Sequence, residues 1–226
     1  MVAAAVNLSM EFFVEWCCVS MNWNWIEIVR FIADYLTKAI IMQLRKLTHD
    51  ELLAERLTQA EAQSVVRHPV TLLLHNIRSL YNVGSIFRTA DAGLAQNLLL
   101  AGYTPTPPRK EITKTALGAD QTVPWQYFST TQQAIEYLRR QKPEITIVAV
   151  ELAERSRSVY ELSADDFPLC LVLGNEITGI DDTILALCDA AVEIPMYGVK
   201  HSLNVSVATG IALFEAVRVW TMRKQQ

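Results

Sequence analysis

Short apolar runs alternate with segments of mixed polarity from Pro69 to the end of the chain. The runs do not alternate strictly between polar and apolar positions, which is typical of strands buried on both faces of a parallel sheet. The segments between them have helical spacing of apolar residues and turn residues at their ends. The pattern predicts strands at residues 70–74, 97–101, 145–150, 169–173 and 191–194, and helices at residues 82–92, 131–141, 181–188 and 202–222. We therefore expect an α/β fold with a parallel sheet that helices cover on both faces.

Residues 1–41 differ in character from the rest, since they are rich in tryptophan and contain an adjacent cysteine pair. Two interpretations stay open: the natural protein begins at Met42, or residues 1–41 form an N-terminal extension with a helix that packs on the body. Residues 42–68 are predicted as a helical segment, because Thr48 and Glu51 have the spacing of a capping box before a helix at residues 48–66. Residues 69–226 are predicted to form the main domain.

Composition limits the classes of function. The formal net charge of −4 argues against coating of nucleic acid by bulk charge, but a local basic patch would still permit RNA binding. The four cysteines, Cys17, Cys18, Cys170 and Cys188, lack metal-site spacing and are interpreted as thiols of a reducing compartment, with no metal predicted. Charged residues interrupt the apolar first forty positions, so no membrane span is expected and we predict a cytoplasmic protein.

The first motif, residues 82–91, follows a predicted strand and opens a helix. Asn82 or Ser85 is a candidate cap for free N–H groups at the helix start. Gly84 permits close approach of a second backbone or of a ligand. Arg88 falls in the second turn, where an exposed arginine on a capped helix is the simpler alternative.

The second motif, residues 171–180, is an apolar strand that ends in Gly174-Asn175-Glu176, with Gly179 close behind. Ligands of parallel α/β sheets collect at the carboxyl ends of the strands, and a glycine keeps that edge open. A plain strand-to-helix turn with solvated Asn175 and Glu176 is the alternative.

The third motif, residues 194–208, begins where a predicted strand ends at Pro195, which has no N–H to donate. Ser202, Asn204 and Ser206 then crowd the start of the last helix. One cap needs one such side chain, so three exceed what capping requires and indicate a polar ligand. A well-capped terminal helix remains the alternative.

In this order, the three motifs resemble the SpoU/TrmH family of SPOUT methyltransferases. The family has an Asn followed six residues later by an Arg, matched by Asn82 and Arg88. It has Gly-(Asn/Ser/Ala)-Glu after an apolar strand, matched by Gly174, Asn175 and Glu176. It has Ile-Pro-Met and Ser-Leu-Asn-Val-Ser, both of which occur in the third motif, and the match covers roughly residues 70–220.

This resemblance implies a parallel-sheet SPOUT fold with a C-terminal deep trefoil knot, S-adenosylmethionine (AdoMet) held by the knot loops, and a homodimer with its active site near the interface. It implies these catalytic residues: Asn82, Arg88, Glu176, Ser202 and Asn204. It also implies these cofactor-binding residues: Leu173, Gly174, Asn175, Glu176, Ile194, Pro195, Met196, Ser202, Leu203, Asn204 and Ser206.

The implied reaction is methyl transfer to a ribose 2′-hydroxyl of tRNA or rRNA. Few residues precede the main domain, so we expect RNA capture by surface cations, with these candidates: Arg78, Arg109, Lys110 and Lys114. A guanidinium stays protonated in proteins, so Arg88 is interpreted as a stabiliser of phosphate and developing alkoxide rather than a base. A base methyltransferase and a non-catalytic RNA-binding or ribosome-assembly protein on the same fold remain alternatives.

Overall fold

The structure, a computed structural model, describes residues 24–41 and 45–223. The chain divides after Arg56 into two compact units, which are described separately. The alternative start at Met42, the Cys17-Cys18 pair and most of the tryptophan-rich segment lie outside the described residues. The predicted boundaries after residues 41 and 68 stay predictions.

Within its described residues, 24–41 and 45–56, the first unit contains two helices whose starts are capped by side chains. Helix α1 spans Trp25–Ile41. At its start, the side-chain oxygen of Asn24 accepts hydrogen bonds from the N–H groups of Ile26 and Glu27. Helix α2 spans His49–Ala54, and the predicted capping box of Thr48 with Glu51 is confirmed. The Arg45 guanidinium and the N–H of Thr48 lower the pKa of Glu51 to about 2. The predicted single helix at residues 48–66 is wrong, because α2 ends at Ala54 and a second capping box, Thr58 with Glu61, begins a new helix.

The second unit is built on a seven-stranded sheet in which all neighbouring strands are parallel. Its order is β3-β2-β1-β6-β4-β7-β5. The strands are β1 (His68–His75), β2 (Ala95–Ala101), β3 (Trp125–Phe128), β4 (Thr146–Val150), β5 (Arg157–Ser158), β6 (Leu169–Leu173) and β7 (Ala190–Glu193). The predicted strands are thus confirmed to within two residues, and the short edge strands β3 and β5 were not predicted.

The helices of this unit are α3 (Gln59–Ser64), α4 (Leu80–Ala92), α5 (Lys110–Ala116), α6 (Ala119–Thr122), α7 (Thr131–Gln141), α8 (Asp182–Leu185) and α9 (Val205–Arg223). Helices α5 and α6 were not predicted. Helix α4 is capped by Ser79, which accepts the N–H of Asn82, so the predicted cap at Asn82 or Ser85 is wrong. Helix α9 begins at Val205 rather than residue 202, and the predicted helix at 181–188 is shorter.

Two apolar clusters cover the two faces of the sheet, as the continuous apolar runs predicted. On one face Leu72 and Leu74 of β1 pack with α4 and α9, where Phe87 is fully buried. On the other face Leu73 packs with α7 and α8. Because successive side chains of a strand point to opposite faces, both faces of a central strand must be apolar.

Among the described residues, one helix, α9, is long enough and apolar enough to cross a membrane by length and composition. The expectation of no membrane span rested on the first forty positions and overlooked this helix, so it stays a prediction. The helix packs on α4 and β1, and Ala212, Leu213 and Ala216 are fully buried in the core. It accordingly occupies the position of a core helix of the second unit.

Candidate active site

The second and third motifs meet at the carboxyl edge of the sheet. Strands β6, β4 and β7 are neighbours, so the residues that follow Leu173, Val150 and Glu193 emerge side by side. They surround a cavity of about 280 Å³, here called the central cavity. Its walls include these predicted cofactor residues: Leu173, Gly174, Asn175, Glu176, Ile194, Met196, Ser202 and Leu203. The further lining residues, which were not among the predicted cofactor residues, are Val150, Glu151, Leu152, Ile177, Thr178, Gly179, Glu193, His201, Val205 and Ala208.

Gly174 and Gly179 permit a tight loop at the end of β6. Asn175 and Gly179 exchange backbone hydrogen bonds of 2.9 and 3.0 Å. A Cβ on Gly174 would lie 2.5 Å from the carbonyl carbon of Gly179, and Gly179 has a φ of +68°. Both positions therefore require glycine, one for space and the other for its backbone conformation.

Asn175 anchors this loop with a side chain whose hydrogen-bonding capacity is filled. Its Nδ2 donates to the carbonyl of Asn76 at 2.7 Å and to the hydroxyl of Tyr103 at 2.6 Å. Its Oδ1 accepts the N–H groups of Ile177 and Thr178. Asn175 is 6% exposed, so its side chain positions the loop. Only the backbone of this residue is left to contact a ligand.

Glu151, which follows β4, was missed by the sequence interpretation. Its carboxylate accepts the N–H of Ile180 at 3.1 Å and of Leu152 at 2.9 Å. With Glu176 and Glu193 it makes the cavity wall acidic. The missed signal was position: an acidic residue directly after a buried strand lies at the same edge as the two motifs.

A chain of side-chain hydrogen bonds joins the three motifs beside the cavity. Asn82 Nδ2 donates to Glu176 Oε1 at 2.8 Å, and Asn204 Nδ2 donates to Asn82 Oδ1 at 3.1 Å. Asn204 Oδ1 in turn accepts from the N–H and the hydroxyl of Ser206 at the start of α9. Residues 122 positions apart thus share one network, which fixes the relative placement of the motifs.

Glu176 is held as a carboxylate. Partial burial alone would raise its pKa, but the backbone N–H of Arg78, the amide of Asn82 and the backbone N–H of Ser79 outweigh burial, so the pKa lies below its ordinary value. These donors also bind the loop after β6 to the start of α4.

The remaining residues of the third motif occupy two environments. Ser202 and Leu203 line the cavity, whereas Pro195, Asn204 and Ser206 do not. Asn204 and Ser206 act instead through the hydrogen-bond chain at the helix start.

Arg88 does not join that chain. It is exposed, and no hydrogen bond or ion pair to its guanidinium occurs within residues 24–41 and 45–223. Six residues separate it from Asn82, which places the two side chains about 120° apart around α4. Of the two possible partners of Glu176, Asn82 and Arg88, the described chain therefore shows the amide of Asn82.

The candidate RNA-binding cations lie on two surfaces. Arg78 and Arg109 line a groove of about 520 Å³, here called the aromatic groove, whose walls also include Tyr103, Trp125 and Tyr127. Lys110 and Lys114 are exposed on α5 and do not line it.

His75, the last residue of β1, is buried and held by side-chain contacts. It is 3% exposed and lies 2.7 Å from Thr131 Oγ1 and 3.1 Å from Asp181 Oδ2. Burial lowers its pKa against the opposing effect of Asp181.

Comparison with known proteins agrees with this geometry. Residues 69–214 match the model of the SpoU rRNA Methylase family. The chain is 35% identical over 150 residues to the 23S rRNA (guanosine-2′-O-)-methyltransferase RlmB of Shewanella oneidensis, covering 66% of this chain and 59% of that protein. It is 33% identical over 149 residues to the tRNA (guanosine(18)-2′-O)-methyltransferase of Thermus thermophilus, covering 66% and 74%.

The same relationship appears among solved structures. The AdoMet-bound rRNA methyltransferase from Sinorhizobium meliloti superposes with a TM-score of 0.62 at 30% identity, over 70% of this chain and 59% of that chain. The chain spans about three fifths of the length of the RlmB relative that it matches. The matched region contains all three motifs, and the chain therefore belongs to the SpoU rRNA Methylase family.

Proposed function

We propose that the chain is an AdoMet-dependent RNA methyltransferase that transfers a methyl group to a ribose 2′-hydroxyl of tRNA or rRNA. The observation that carries this is the hydrogen-bond chain from Glu176 through Asn82 to Asn204, which joins the three family motifs beside the central cavity. Relatives named as guanosine 2′-O-methyltransferases of 23S rRNA and tRNA support the reaction class. Because such RNAs are the proposed substrate, we place the activity in the cytoplasm.

The central cavity fits AdoMet by the chemistry of its walls. Three carboxylates, Glu151, Glu176 and Glu193, suit a ligand with a positively charged sulfonium and ammonium group. The loop from Gly174 to Gly179 and the segment at Ile194 to Leu203 offer backbone polar groups and apolar contacts. When bound, the cofactor supplies a methyl group already activated on sulfur.

The protein's own task is to orient the 2′-hydroxyl and to favour loss of its proton. Asn82 and Asn204 present amide groups at the cavity edge, held rigid by Glu176 and Ser206, and thus position the ribose. Ser202 lies in the wall, where its hydroxyl can orient the ribose or a water that takes the proton. Arg88 stabilises the developing alkoxide and the adjacent phosphate with its positively charged guanidinium.

The family's knot and dimer belong to the same proposal. The loop after β6 and the segment after β7 both surround the cavity, which is the arrangement that a trefoil knot of this region would produce. Helix α9 presents Val207 and Phe214, each about half exposed and two turns apart on one face, as apolar surface for a second copy. Arg88 then reaches a central cavity from the partner subunit.

The experiment that tests the proposal combines two measurements on the full chain. Calorimetry with AdoMet should give saturable binding, and mapping of 2′-O-methylation in total RNA with and without the gene should reveal a missing site. Binding of AdoMet together with a missing base methylation would favour the base methyltransferase. Absence of both binding and any missing methyl group would favour the non-catalytic RNA-binding protein.

A further inference from the structure

The aromatic groove combines exposed rings with two guanidinium groups. Tyr103 is 60% exposed, Tyr127 46% and Trp125 37%, and all three line the same groove as Arg78 and Arg109. No acidic residue occurs among the described residues that line it. The groove is thus a basic and aromatic surface on a chain of net charge −4.

The three rings are held in place although they are exposed. Tyr103 accepts the Asn175 amide at 2.6 Å, and Tyr127 donates to the carbonyl of Gly102 at 2.8 Å. Trp125 packs edge-on against the buried Phe87, with ring centroids 6.3 Å apart. Rings fixed in this way lose little conformational entropy on binding a flat partner.

The loop beneath the groove is equally well anchored. Thr104 is 3% exposed and donates to the carbonyl of Ala101 at 2.7 Å, while its hydroxyl oxygen accepts the N–H of Ile77. Asn76 adopts a left-handed backbone conformation and accepts the N–H of Tyr103. The groove is therefore a preformed surface, unlike a solvated loop.

The two guanidiniums complete a binding surface for nucleic acid. Both arginines are exposed, and neither side chain has a hydrogen bond or ion pair within the described part of the chain. Single-stranded RNA is bound by cations that track the phosphates and by aromatic rings on which bases stack. An apolar protein partner would bury these two guanidinium groups without offering them a counter-charge.

Two hydrogen bonds connect residues that line the groove to residues that line the central cavity. The backbone N–H of Arg78 donates to Glu176, and the Asn175 amide donates to the hydroxyl of Tyr103. Both Glu176 and Asn175 line the cavity. A strand of RNA with one ribose at the cavity would place a neighbouring nucleotide in the groove. The acidic cavity suits the cationic cofactor, and the basic groove suits the RNA.

We infer that the aromatic groove is the subsite for a nucleotide next to the methylated one, whose base stacks on Trp125 or Tyr127 and whose phosphate pairs with Arg78 and Arg109. This subsite rests on the proposed function, since it takes the same RNA to the same active site. Stacking tolerates any base, so the groove contributes affinity and placement rather than sequence readout.

The test measures binding of a fluorescently labelled, mixed-sequence single-stranded RNA to the full chain, with and without AdoMet. Trp125→Leu and Tyr127→Leu should each weaken RNA binding about five- to 150-fold and leave AdoMet affinity unchanged. Tyr160→Leu is the matched control, because Tyr160 is equally exposed at 59% and lies outside the groove. Arg78→Ala and Arg109→Ala should each reduce the slope of affinity against salt by about one.

Trp125→Phe guards against a folding defect, because it keeps a ring for stacking. It should retain most of the RNA affinity and lose the quenching of tryptophan fluorescence by RNA. Groove variants that bind RNA as tightly as Tyr160→Leu, or a wild-type chain that binds no single-stranded RNA, would overturn the subsite. If only the arginine variants weaken RNA binding, the proposed stacking of a base on the rings is wrong.

These outcomes separate the subsite from the proposed function. A chain that transfers no methyl group, yet loses RNA when the rings are removed, would contradict only the proposed function. A chain that methylates RNA with unaltered affinity in the ring variants would contradict only the subsite.

Discussion

Asn82 and Glu176 are 94 residues apart in the chain and are joined by a hydrogen bond of 2.8 Å from the amide to the carboxylate. This contact connects the helix that carries Arg88 to the loop that forms the cavity wall. The same amide accepts from Asn204 through its oxygen, so its two ends serve different motifs. An amide can donate to one neighbour and accept from the other, whereas an ionised carboxylate can only accept.

Replacing Asn82 should therefore affect catalysis in a way that depends on the new group. Asn82→Ala removes a hydrogen bond to a charged group, so we expect a loss of turnover of about ten- to a hundred-fold. Asn82→Asp should be worse at neutral pH, because two carboxylates would face each other, and should recover partly in acid. Methyl-transfer rates across pH would measure this, and equal rates for both variants would contradict the role of the amide.

The lowered pKa of Glu176 makes part of the stability depend on pH. The folded protein binds this proton less readily than the unfolded chain, so the stabilisation is complete above the ordinary pKa of 4.5 and is lost as the pH falls through the lower folded value. Denaturant unfolding of wild type and Glu176→Gln from about pH 3 to pH 7 should show a difference that shrinks in acid. A constant difference would contradict the assignment.

Two glycines in helices should respond in opposite ways to alanine. In α4 a Cβ on Gly84 would lie 2.4 Å from the carbonyl oxygen of Ile112, so Gly84→Ala should destabilise the fold by about 1–3 kcal/mol. In α9 a Cβ on Gly210 meets nothing closer than 3.9 Å, so Gly210→Ala should stabilise it by about 0.5–1 kcal/mol. Unfolding midpoints in urea would compare them, and equal shifts would show that α4 and α5 can separate freely.

Much of the fold could be predicted from the sequence because the strands of a buried parallel sheet are continuous apolar runs. Strand β3 escaped prediction because Trp125, Gln126 and Tyr127 are exposed and lack that pattern. The break between α2 and α3 had a local signal, since Thr58 and Glu61 repeat the capping box of Thr48 and Glu51. The break was concealed by apolar residues at helical spacing across it, namely Leu52, Leu53, Leu57 and Ala60.

The site was partly predictable for a different reason. The second and third motifs follow β6 and β7, and carboxyl ends of parallel strands share one edge, so their meeting follows from topology. The Asn82–Asn204 contact does not, because it depends on how α4 turns relative to α9. Helical spacing alone places Arg88 about 120° from Asn82, but it could not indicate which of these two side chains meets Glu176.

The exposed face of α9 leads to a prediction about assembly. Phe214 is 51% exposed on a helix that is apolar on most of its surface, so burial against a second copy would remove apolar area from water. Phe214→Glu should convert a dimer to a monomer in light scattering, whereas Tyr160→Glu should not. A wild-type monomer would contradict the proposed dimer directly.

The orientation of Arg88 makes the most specific claim about catalysis, which subunit mixing can test. Arg88→Ala should abolish methyl transfer and leave AdoMet binding intact, because the side chain lies about 120° from Asn82 around α4 and outside the cavity wall. Gly174→Ala should abolish AdoMet binding, since its Cβ would meet the backbone of Gly179 at 2.5 Å and close the cavity. Each homodimer is then inactive for a different reason.

A mixed dimer of the two variants distinguishes the possible arrangements. If Arg88 acts in the partner's cavity, the intact arginine of the Gly174→Ala chain faces the intact cavity of the Arg88→Ala chain, and one complete site is restored. If Arg88 acts in its own cavity, no complete site exists and the mixture stays inactive. Co-expressed chains with different affinity tags, purified as the mixed dimer, would provide the measurement. We expect activity to return, because the described chain offers Arg88 no partner of its own.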